Sequence, residues 1–373
     1  MTELIKRNEH NGVCTLTLNR PEALNALSPA LFIELRTHIE NLETRQDELG
    51  AVILHGAGRA FSAGNDLKAI GEGATAPTPY FQAETIDALE ALPQVVIGAV
   101  HGPCYTGALE LALGCDLLIA GHSAAFCDSH GRWGMSPTWG MGSRLPRRLG
   151  VQAAKDMMFS GRVVGAEEAV ALGLALEAVP DDQLLAHATA KAEGYLENSW
   201  FTLRADKFLV NGAQERPGPA GPRWEREMSP GRGPDMEERL KAASAQVILL
   251  RAGDFLDTAA SGNWFDRIMA KDVGKGRFVY PGDPDVAHAW AYLPDMARAA
   301  VALAEKRDAL GRFEEIEFPG YTLTGREMHA LIEGTVDRPV RLVRMSWLPL
   351  YLARPLMPIA KGLFEMRYLW DKP

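Results

Sequence analysis

The sequence predicts an α/β fold, because short apolar runs alternate with stretches that have the composition of helices. The runs Ala51–Leu54 and Val95–Val100 are continuously apolar, as buried strands are. Each is followed by a turn of small residues and then by a helix-like stretch. Val13–Leu18 alternates apolar and polar residues, which indicates a further strand.

Helix start signals and apolar spacing predict the other elements in chain order. Ser28 and Pro29 are typical of a helix start, and an amphipathic helix is expected over Ser28–Thr44. Two short strands are expected at Asp116–Ala120 and Ala124–Cys127. The remaining helices are expected at Thr85–Leu92, Gly107–Leu113, Pro146–Ser160, Ala166–Leu174 and Asp181–Leu203, with another short helix over Thr202–Val210.

Length, charge and cysteine usage limit the class of protein. The 373 residues suggest two domains or one large one, and the net charge of −9 argues against a nucleic-acid partner. No CxxC or Cys/His spacing is present, so we expect free thiols and no metal site. The chain opens on polar residues and has no apolar run long enough for a membrane span. We therefore expect a cytoplasmic protein. The four cysteines are Cys14, Cys104, Cys115 and Cys127.

One stretch, His101–Asp116, combines a glycine turn with an acidic residue in an apolar helix. Gly107 follows a predicted strand, and the unpaired N–H groups at a helix start can stabilise a developing oxyanion. Glu110 lies about one helical turn further on and can face the same space. Taken alone, this pattern is explained better by an ordinary helix packed on a strand, with Gly107 allowing the close approach. However, Ala60–Leu67 repeats the arrangement, so two turns can each direct one N–H at the same carbonyl oxygen.

Taken together, these pieces resemble the crotonase (enoyl-CoA hydratase/isomerase) superfamily over roughly residues 1–245. The resemblance implies a spiral of ββα units with a helical C-terminal part, and an assembly of trimers or hexamers. The matching pieces are LNRPEALNAL, GRAFSAGNDL, AVHGPCYTGALELALGCDLLIA, GMSPTWGMGSRLPRRLG and FSGRVVGAEEAVALGLALEAVP.

The resemblance also implies the chemistry, with an acyl-CoA thioester as substrate and CoA as part of that substrate. It assigns the two oxyanion N–H groups to Ala63 and Gly107, and the water-activating glutamate to Glu110. The second family glutamate falls on His130, which is either an acid or base assisted by Asp128 or an ordinary loop histidine in a site that lost one catalytic group. The expected substrate-binding residues are Ala63, Gly64, Asn65, Asp66 and Gly107, and Lys68, Arg147 and Arg148 are candidates for the CoA phosphates.

The missing second glutamate leaves the reaction open. Water addition needs two acid/base groups, whereas double-bond isomerisation can proceed with one. We therefore expect an enoyl-CoA hydratase/isomerase-type enzyme, and a non-catalytic acyl-CoA-binding or scaffold protein is the alternative.

The C-terminal part, residues 246–373, has a different character. A Gly/Pro-rich break at Gly212–Gly221 precedes the closing helices of the first domain, which we expect to end at residue 245. The strand-like Val247–Gly253, with Ala289–Glu305 and Tyr321–Gly334, resembles the C-terminal half of an extended short-chain reductase or epimerase. The nucleotide-binding half of that Rossmann-type fold is missing, because no glycine-rich turn follows a strand. We therefore expect no NAD(P) binding, and apolar stretches such as Trp347–Leu356 are expected to be exposed.

Overall fold

A six-stranded sheet in the order β1-β2-β3-β4-β6-β9 organises the first part of the chain. β1 runs antiparallel to β2, and the other neighbours are parallel. β5, β7 and β8 form a second, smaller sheet. The strands are β1 (Ile5–His10), β2 (Val13–Leu18), β3 (Ala51–Gly56), β4 (Val95–Val100), β5 (Pro103–Tyr105), β6 (Leu117–Gly121), β7 (Ala125–Cys127), β8 (Val164–Gly165) and β9 (Glu177–Val179).

Helices cover both faces of the large sheet, which explains why the central strands β3 and β4 contain continuously apolar runs. On β3, Val52 and Leu54 belong to the larger core, whereas Ala51 and Ile53 pack in a smaller core with Leu184. The helices of this part are α1 (Pro29–Thr44), α2 (Leu67–Gly71), α3 (Phe81–Ala91), α4 (Gly107–Leu113), α5 (Met141–Leu149), α6 (Val151–Ser160), α7 (Ala166–Ala171), α8 (Leu184–Leu196), α9 (Trp200–Gln214) and α10 (Ala220–Met228).

In this computed structural model, residues 3–259, 263, 265–353 and 370 are described. They divide into two units, Met1–Gly233 and Pro234–Pro373. The division precedes the domain boundary expected at residue 245, because the helix α11 (Met236–Ala242) bonds within the second unit. Glu237 on α11 accepts a 2.7 Å hydrogen bond from Arg251.

The second unit contains three parallel strand pairs, β10–β14, β11–β13 and β12–β16, and β15 pairs antiparallel with β13. Its core gathers Phe278, Tyr280, Trp290 and Trp347. The elements are β10 (Val247–Arg251), β11 (Asp254–Leu256), β12 (Arg277–Tyr280), β13 (Ala287–Tyr292), α12 (Leu293–Glu305), β14 (Phe313–Glu317), β15 (Tyr321–Thr324), α13 (Gly325–Glu333), β16 (Arg341–Arg344) and α14 (Leu348–Ala353).

Two predicted helices prove to be pairs of helices. The stretch expected as Pro146–Ser160 is α5 and α6, separated at Gly150, whose φ of +78° does not fit a helix. The stretch expected as Asp181–Leu203 is α8 and the start of α9, because the Ser199 hydroxyl accepts from Thr202 N and starts a new helix. This new helix contains the short helix expected over Thr202–Val210.

The sequence predicts that the apolar stretch Trp347–Leu356 is exposed, and the structure differs from this prediction at Trp347. Trp347 is only 8% exposed, because its ring packs in the second core and its Nε1–H donates to Pro281 O at 2.7 Å. Leu348 and Tyr351 are exposed as expected. Residues 354–356 of this predicted stretch lie outside the described residues.

All four cysteines are free and buried in the first unit. Burial raises the pKa of Cys14 to about 11 and that of Cys115 to about 12. Within the described residues, no helix combines the length and hydropathy needed to cross a membrane.

Candidate active site

The two turns predicted to act together lie side by side. Gly64 has a φ of +101°, and a Cβ on it would come within 2.6 Å of Tyr105 O and 3.7 Å of Gly107 N. Glycine is therefore required at this contact, both for the backbone angle and for the space. The Gly64 turn follows β3, and Gly107 opens α4 after β4 and β5.

The free N–H group of the first turn differs from the one expected. The N–H of Ala63 donates to Leu24 O at 2.9 Å, so it is occupied within the fold. Asn65 lies two residues further on, and its N–H, like that of Gly107, donates to no atom of the described residues. The pair of open donors is therefore Asn65 and Gly107, which corrects the assignment of Ala63.

Thr106 holds the second turn in a strained conformation. Its φ of +54° is rare for a branched residue and marks local strain. The Thr106 N–H donates to Cys127 O at 2.7 Å, and the Ser129 N–H donates to the Thr106 hydroxyl at 3.4 Å. These bonds join the Gly107 turn to the segment that carries His130.

Glu110 is buried at 1% exposure, with a carboxylate held by backbone amides. Oε1 accepts from Trp139 N at 2.8 Å and from Met141 N at 3.1 Å, which leaves Oε2 for chemistry. Burial raises the pKa of Glu110, and this effect outweighs the two amides and the nearby His130, which lower it. Sequence reasoning found Glu110 but missed these amides, which have no side-chain signal.

His130 lies between two carboxylates. Its Nδ1 is 2.6 Å from Asp128 Oδ1, and its Nε2 is 3.8 Å from Glu110 Oε2. A carboxylate accepts hydrogen bonds, so the contact with Asp128 places a proton on Nδ1 and directs Nε2 towards Glu110. Burial lowers the pKa of His130, but the bond and charge of Asp128 and the charge of Glu110 outweigh it, so the pKa lies above its ordinary value.

Two of the side chains predicted to contact the substrate form hydrogen bonds within the fold. Asp66 caps α2 through Ala69 N at 2.9 Å and pairs with Arg20 at 2.7 Å, which commits its carboxylate. Arg148 donates to the carbonyls of Leu113 and Cys115 at the end of α4, so it is not free for a phosphate.

The other two basic candidates keep exposed charges. The Lys68 side chain is 85% exposed, and Arg147 is 41% exposed with Glu90 at 3.9 Å. Among the described residues, no group of three or more His, Cys, Asp or Glu side chains has the arrangement of a metal site.

Asn25 was not singled out from the sequence, although it organises the approach to the first turn. It is fully buried, and its Nδ2 donates to Ala57 O and Ala60 O, both at 2.8 Å. Its φ of +53° is one that asparagine tolerates better than most residues. The only sequence signal was its place in the motif LNRPEALNAL.

Comparison with known proteins places this arrangement in a family. The model of the enoyl-CoA hydratase/isomerase family matches residues 8–231. The chain belongs to this family. A probable enoyl-CoA hydratase of Mycobacterium bovis is 38% identical over 216 residues, which cover 57% of this chain and 82% of the relative. The 1,2-epoxyphenylacetyl-CoA isomerase of Escherichia coli is 34% identical over 221 residues, 57% of this chain and 84% of the relative.

Solved structures of enoyl-CoA hydratases and isomerases share the fold of the first unit. The enoyl-CoA hydratase of Bacillus anthracis has a TM-score of 0.61 at 31% identity, covering 64% of this chain and 95% of its own. A monofunctional enoyl-CoA isomerase from M. smegmatis has a TM-score of 0.52 at 32% identity, covering 59% of this chain and 98% of its own. The family thus includes both hydratases and isomerases, and the chain is an enzyme of this type.

Proposed function

We propose that the first unit hydrates an α,β-unsaturated acyl-CoA thioester, with Glu110 and His130 as its acid/base pair. The observation that carries the proposal is the 3.8 Å separation of Glu110 Oε2 and His130 Nε2. Two acid/base atoms at this distance can both contact one water molecule, as water addition needs.

The thioester oxygen is held by the N–H groups of Asn65 and Gly107. Both are open donors in adjacent turns, and such donors stabilise the negative charge that develops on the oxygen as an enolate forms. Removing one such donor typically costs about 100- to 1000-fold in rate. The two turns contain Gly64, Asn65 and Gly107, which are three of the residues expected to bind the acyl-CoA substrate.

The proton steps then balance between the two side chains. Glu110 Oε2 takes a proton from water while the water oxygen bonds to the β-carbon and the electron pair of the double bond moves towards the thioester. The imidazolium of His130 gives its Nε2 proton to the α-carbon, and the proton on Glu110 returns to His130. The hydrogen bond and charge of Asp128 raise the pKa of His130 and so favour its protonated form, which is how a histidine can replace a second carboxylic acid here.

Isomerisation of a 3-enoyl-CoA is the second candidate. Two backbone amides occupy Glu110 Oε1, so Oε2 is the carboxylate oxygen that remains for proton transfer. A single base suffices to move a proton from the α-carbon to the γ-carbon.

Purified protein with crotonyl-CoA and with a 3-enoyl-CoA tests both candidates through the absorbance of the conjugated thioester. Hydration removes conjugation from crotonyl-CoA, and isomerisation creates it from the 3-enoyl-CoA. Glu110→Gln keeps the acceptor for both amides but cannot take the proton, so turnover falls about 100-fold or more while acyl-CoA binding persists.

Glu40→Gln is the matched control, because the Glu40 side chain is 65% exposed on α1. Unchanged turnover in Glu110→Gln would exclude this mechanism. Acyl-CoA binding by calorimetry without turnover of either substrate would instead favour a non-catalytic binder.

For residues 246–373, the proposal is a partial Rossmann-type segment that binds no dinucleotide. Its three parallel strand pairs support the Rossmann-type assignment. The missing glycine-rich turn supports the expectation that it binds no dinucleotide. The trimeric or hexameric assembly and the cytoplasmic location stay predictions.

A further inference from the structure

We infer that Arg144 is a positioning residue for Glu110, acting through the peptide that joins Trp139 to Gly140. The inference rests on the proposed function, because Glu110 is the base whose placement Arg144 controls. Arg144 touches neither the carboxylate of Glu110 nor the open donors at Asn65 and Gly107. Its contacts lie behind the loop that holds the base.

The first step is the dependence of Glu110 on this loop. Both donors to Oε1, the N–H groups of Trp139 and Met141, come from three consecutive residues at the start of α5. The peptide between Trp139 and Gly140 lies between these two donors. This peptide joins the two peptides that carry the donors, so a displacement of its Cα atoms moves at least one donor relative to the carboxylate.

The second step is the bond that fixes this peptide. Arg144 Nη1 donates to Trp139 O at 2.9 Å, and the backbone N–H of Arg144 donates to Gly140 O at 2.9 Å. The guanidinium lies directly over Gly140, where a Cβ would come within 2.1 Å of Nη1. Gly140, with a φ of +110°, thus provides both the backbone angle and the space for the arginine.

The third step is the fixation of the guanidinium itself. Arg144 Nε and Nη2 donate to Glu90 Oε2 at 2.9 and 2.7 Å, and Nη2 also donates to Asp87 at 2.5 Å. Both carboxylates lie on α3, and the Arg144 side chain is only 7% exposed. The guanidinium is planar and is hydrogen-bonded through Nε, Nη1 and Nη2, so it has little freedom to move. The position of α3 therefore helps to fix the position of the Trp139 peptide.

Arg144→Gln should therefore lower kcat by roughly 10- to 100-fold, because a small displacement of a reacting group has an effect of this order. KM should stay within about twofold, since the oxyanion donors are unchanged. The acid limb of the kcat profile should move to higher pH, because loosened amides no longer oppose the effect of burial on the Glu110 pKa. His130 and Asp128 are the titratable groups that act on Glu110, and both remain in this variant.

Arg36→Gln is the matched control. Arg36 also binds α3, through Glu84 O at 2.8 Å, but makes no bond to the Trp139 peptide. The control should keep the wild-type kcat and pH profile. If Arg36→Gln moves the acid limb as far as Arg144→Gln does, or if neither variant moves it, the positioning role is refuted.

Two further measurements keep the test decisive. Arg144→Lys retains a charge for Asp87 and Glu90 but lacks the fork that also reaches Trp139, so it should fold and still move the acid limb. A wild-type limb in this variant would contradict the inference. If wild-type protein turns over neither substrate, the proposed function fails, and infrared difference spectra against Glu110→Gln then follow the carboxyl titration directly. A Glu110 titration that is identical in wild type and Arg144→Gln would refute the positioning role independently of turnover.

Discussion

Asp128→Asn isolates the effect of the Asp128 charge, which favours the protonated form of His130. In the wild-type chain, His130 Nδ1 lies 2.6 Å from Asp128 Oδ1. The asparagine Oδ1 can still accept this hydrogen bond, so the orientation of the His130 ring is retained. The negative charge is lost. Asp128 is 2% exposed and the His130 side chain is 12% exposed, so solvent screens this pair little.

The size of the effect follows from the kind of bond that is lost. A hydrogen bond to a charged partner contributes about 1.5–3 kcal/mol, against about 1 kcal/mol for a neutral one. Replacing the charged partner with a neutral one therefore destabilises the imidazolium form of His130 by roughly 0.5–2 kcal/mol. Since about 1.4 kcal/mol is a factor of ten, the protonated fraction on the alkaline limb falls roughly 2- to 30-fold. If His130 is the proton donor, kcat/KM falls in the same proportion there.

The sign follows from the causes of the shift. Asp128 and Glu110 raise the pKa of His130 and burial lowers it, so removal of the Asp128 charge moves the alkaline limb of kcat/KM to lower pH. Asp128 also raises the pKa of Glu110, so the acid limb moves slightly in the same direction. Hydration of crotonyl-CoA, measured across the pH range, records both limbs.

Asp156→Asn serves as the control, because Asp156 is exposed and pairs with Arg162. This variant should reproduce the wild-type profile. An alkaline limb that stays in place or moves to higher pH in Asp128→Asn would show that His130 is not the titrating acid.

The remaining predictions concern the oxyanion turn and the C-terminal part. Gly64→Ala forces a Cβ to 2.6 Å from Tyr105 O and separates the two turns, so kcat/KM falls about 100- to 1000-fold. Gly218→Ala also places an alanine at a positive φ, of +62°, but with no neighbour within 4 Å, and in the thioester assay it keeps wild-type activity. If both variants behave alike, backbone strain and not the contact between the turns is responsible. Calorimetric titration of the full chain with NADPH gives no binding heat; saturable binding would overturn the interpretation of residues 246–373.

Local sequence patterns were sufficient to predict those helices and strands whose signals lie within the element itself. Val95–Val100 and Gly107–Leu113 were predicted with the bounds that the structure has, because an apolar run and a glycine mark each one. β1 was missed because IKRNEH is mostly polar. It pairs on one side only, with β2, and Ile5 is its fully buried residue.

The site was predictable in its residues but not in its hydrogen bonds. Whether Ala63 or Asn65 offers an open N–H depends on the Leu24 carbonyl, which approaches Ala63 only in the folded chain. Arg144 looked like one basic residue among several in GSRLPRRLG, because its carboxylate partners lie 54 and 57 residues away. Contacts over such separations are set by packing, which one sequence does not display.

Alkylation of the four buried thiols can report on local opening of the first unit. A thiol reacts as the thiolate, and burial raises the pKa of Cys14 and Cys115 to about 11 and 12, so alkylating reagents find little to attack in the closed protein. Labelling then proceeds when the surrounding structure opens, at a rate that follows the free energy of that opening. Cys14 lies on β2, between β1 and β3, and Cys115 lies just beyond α4, so mass spectrometry of the two labelled peptides compares this part of the sheet with the helix that carries Glu110. No probe needs to be introduced, because the chain already carries a thiol on β2 and another next to α4.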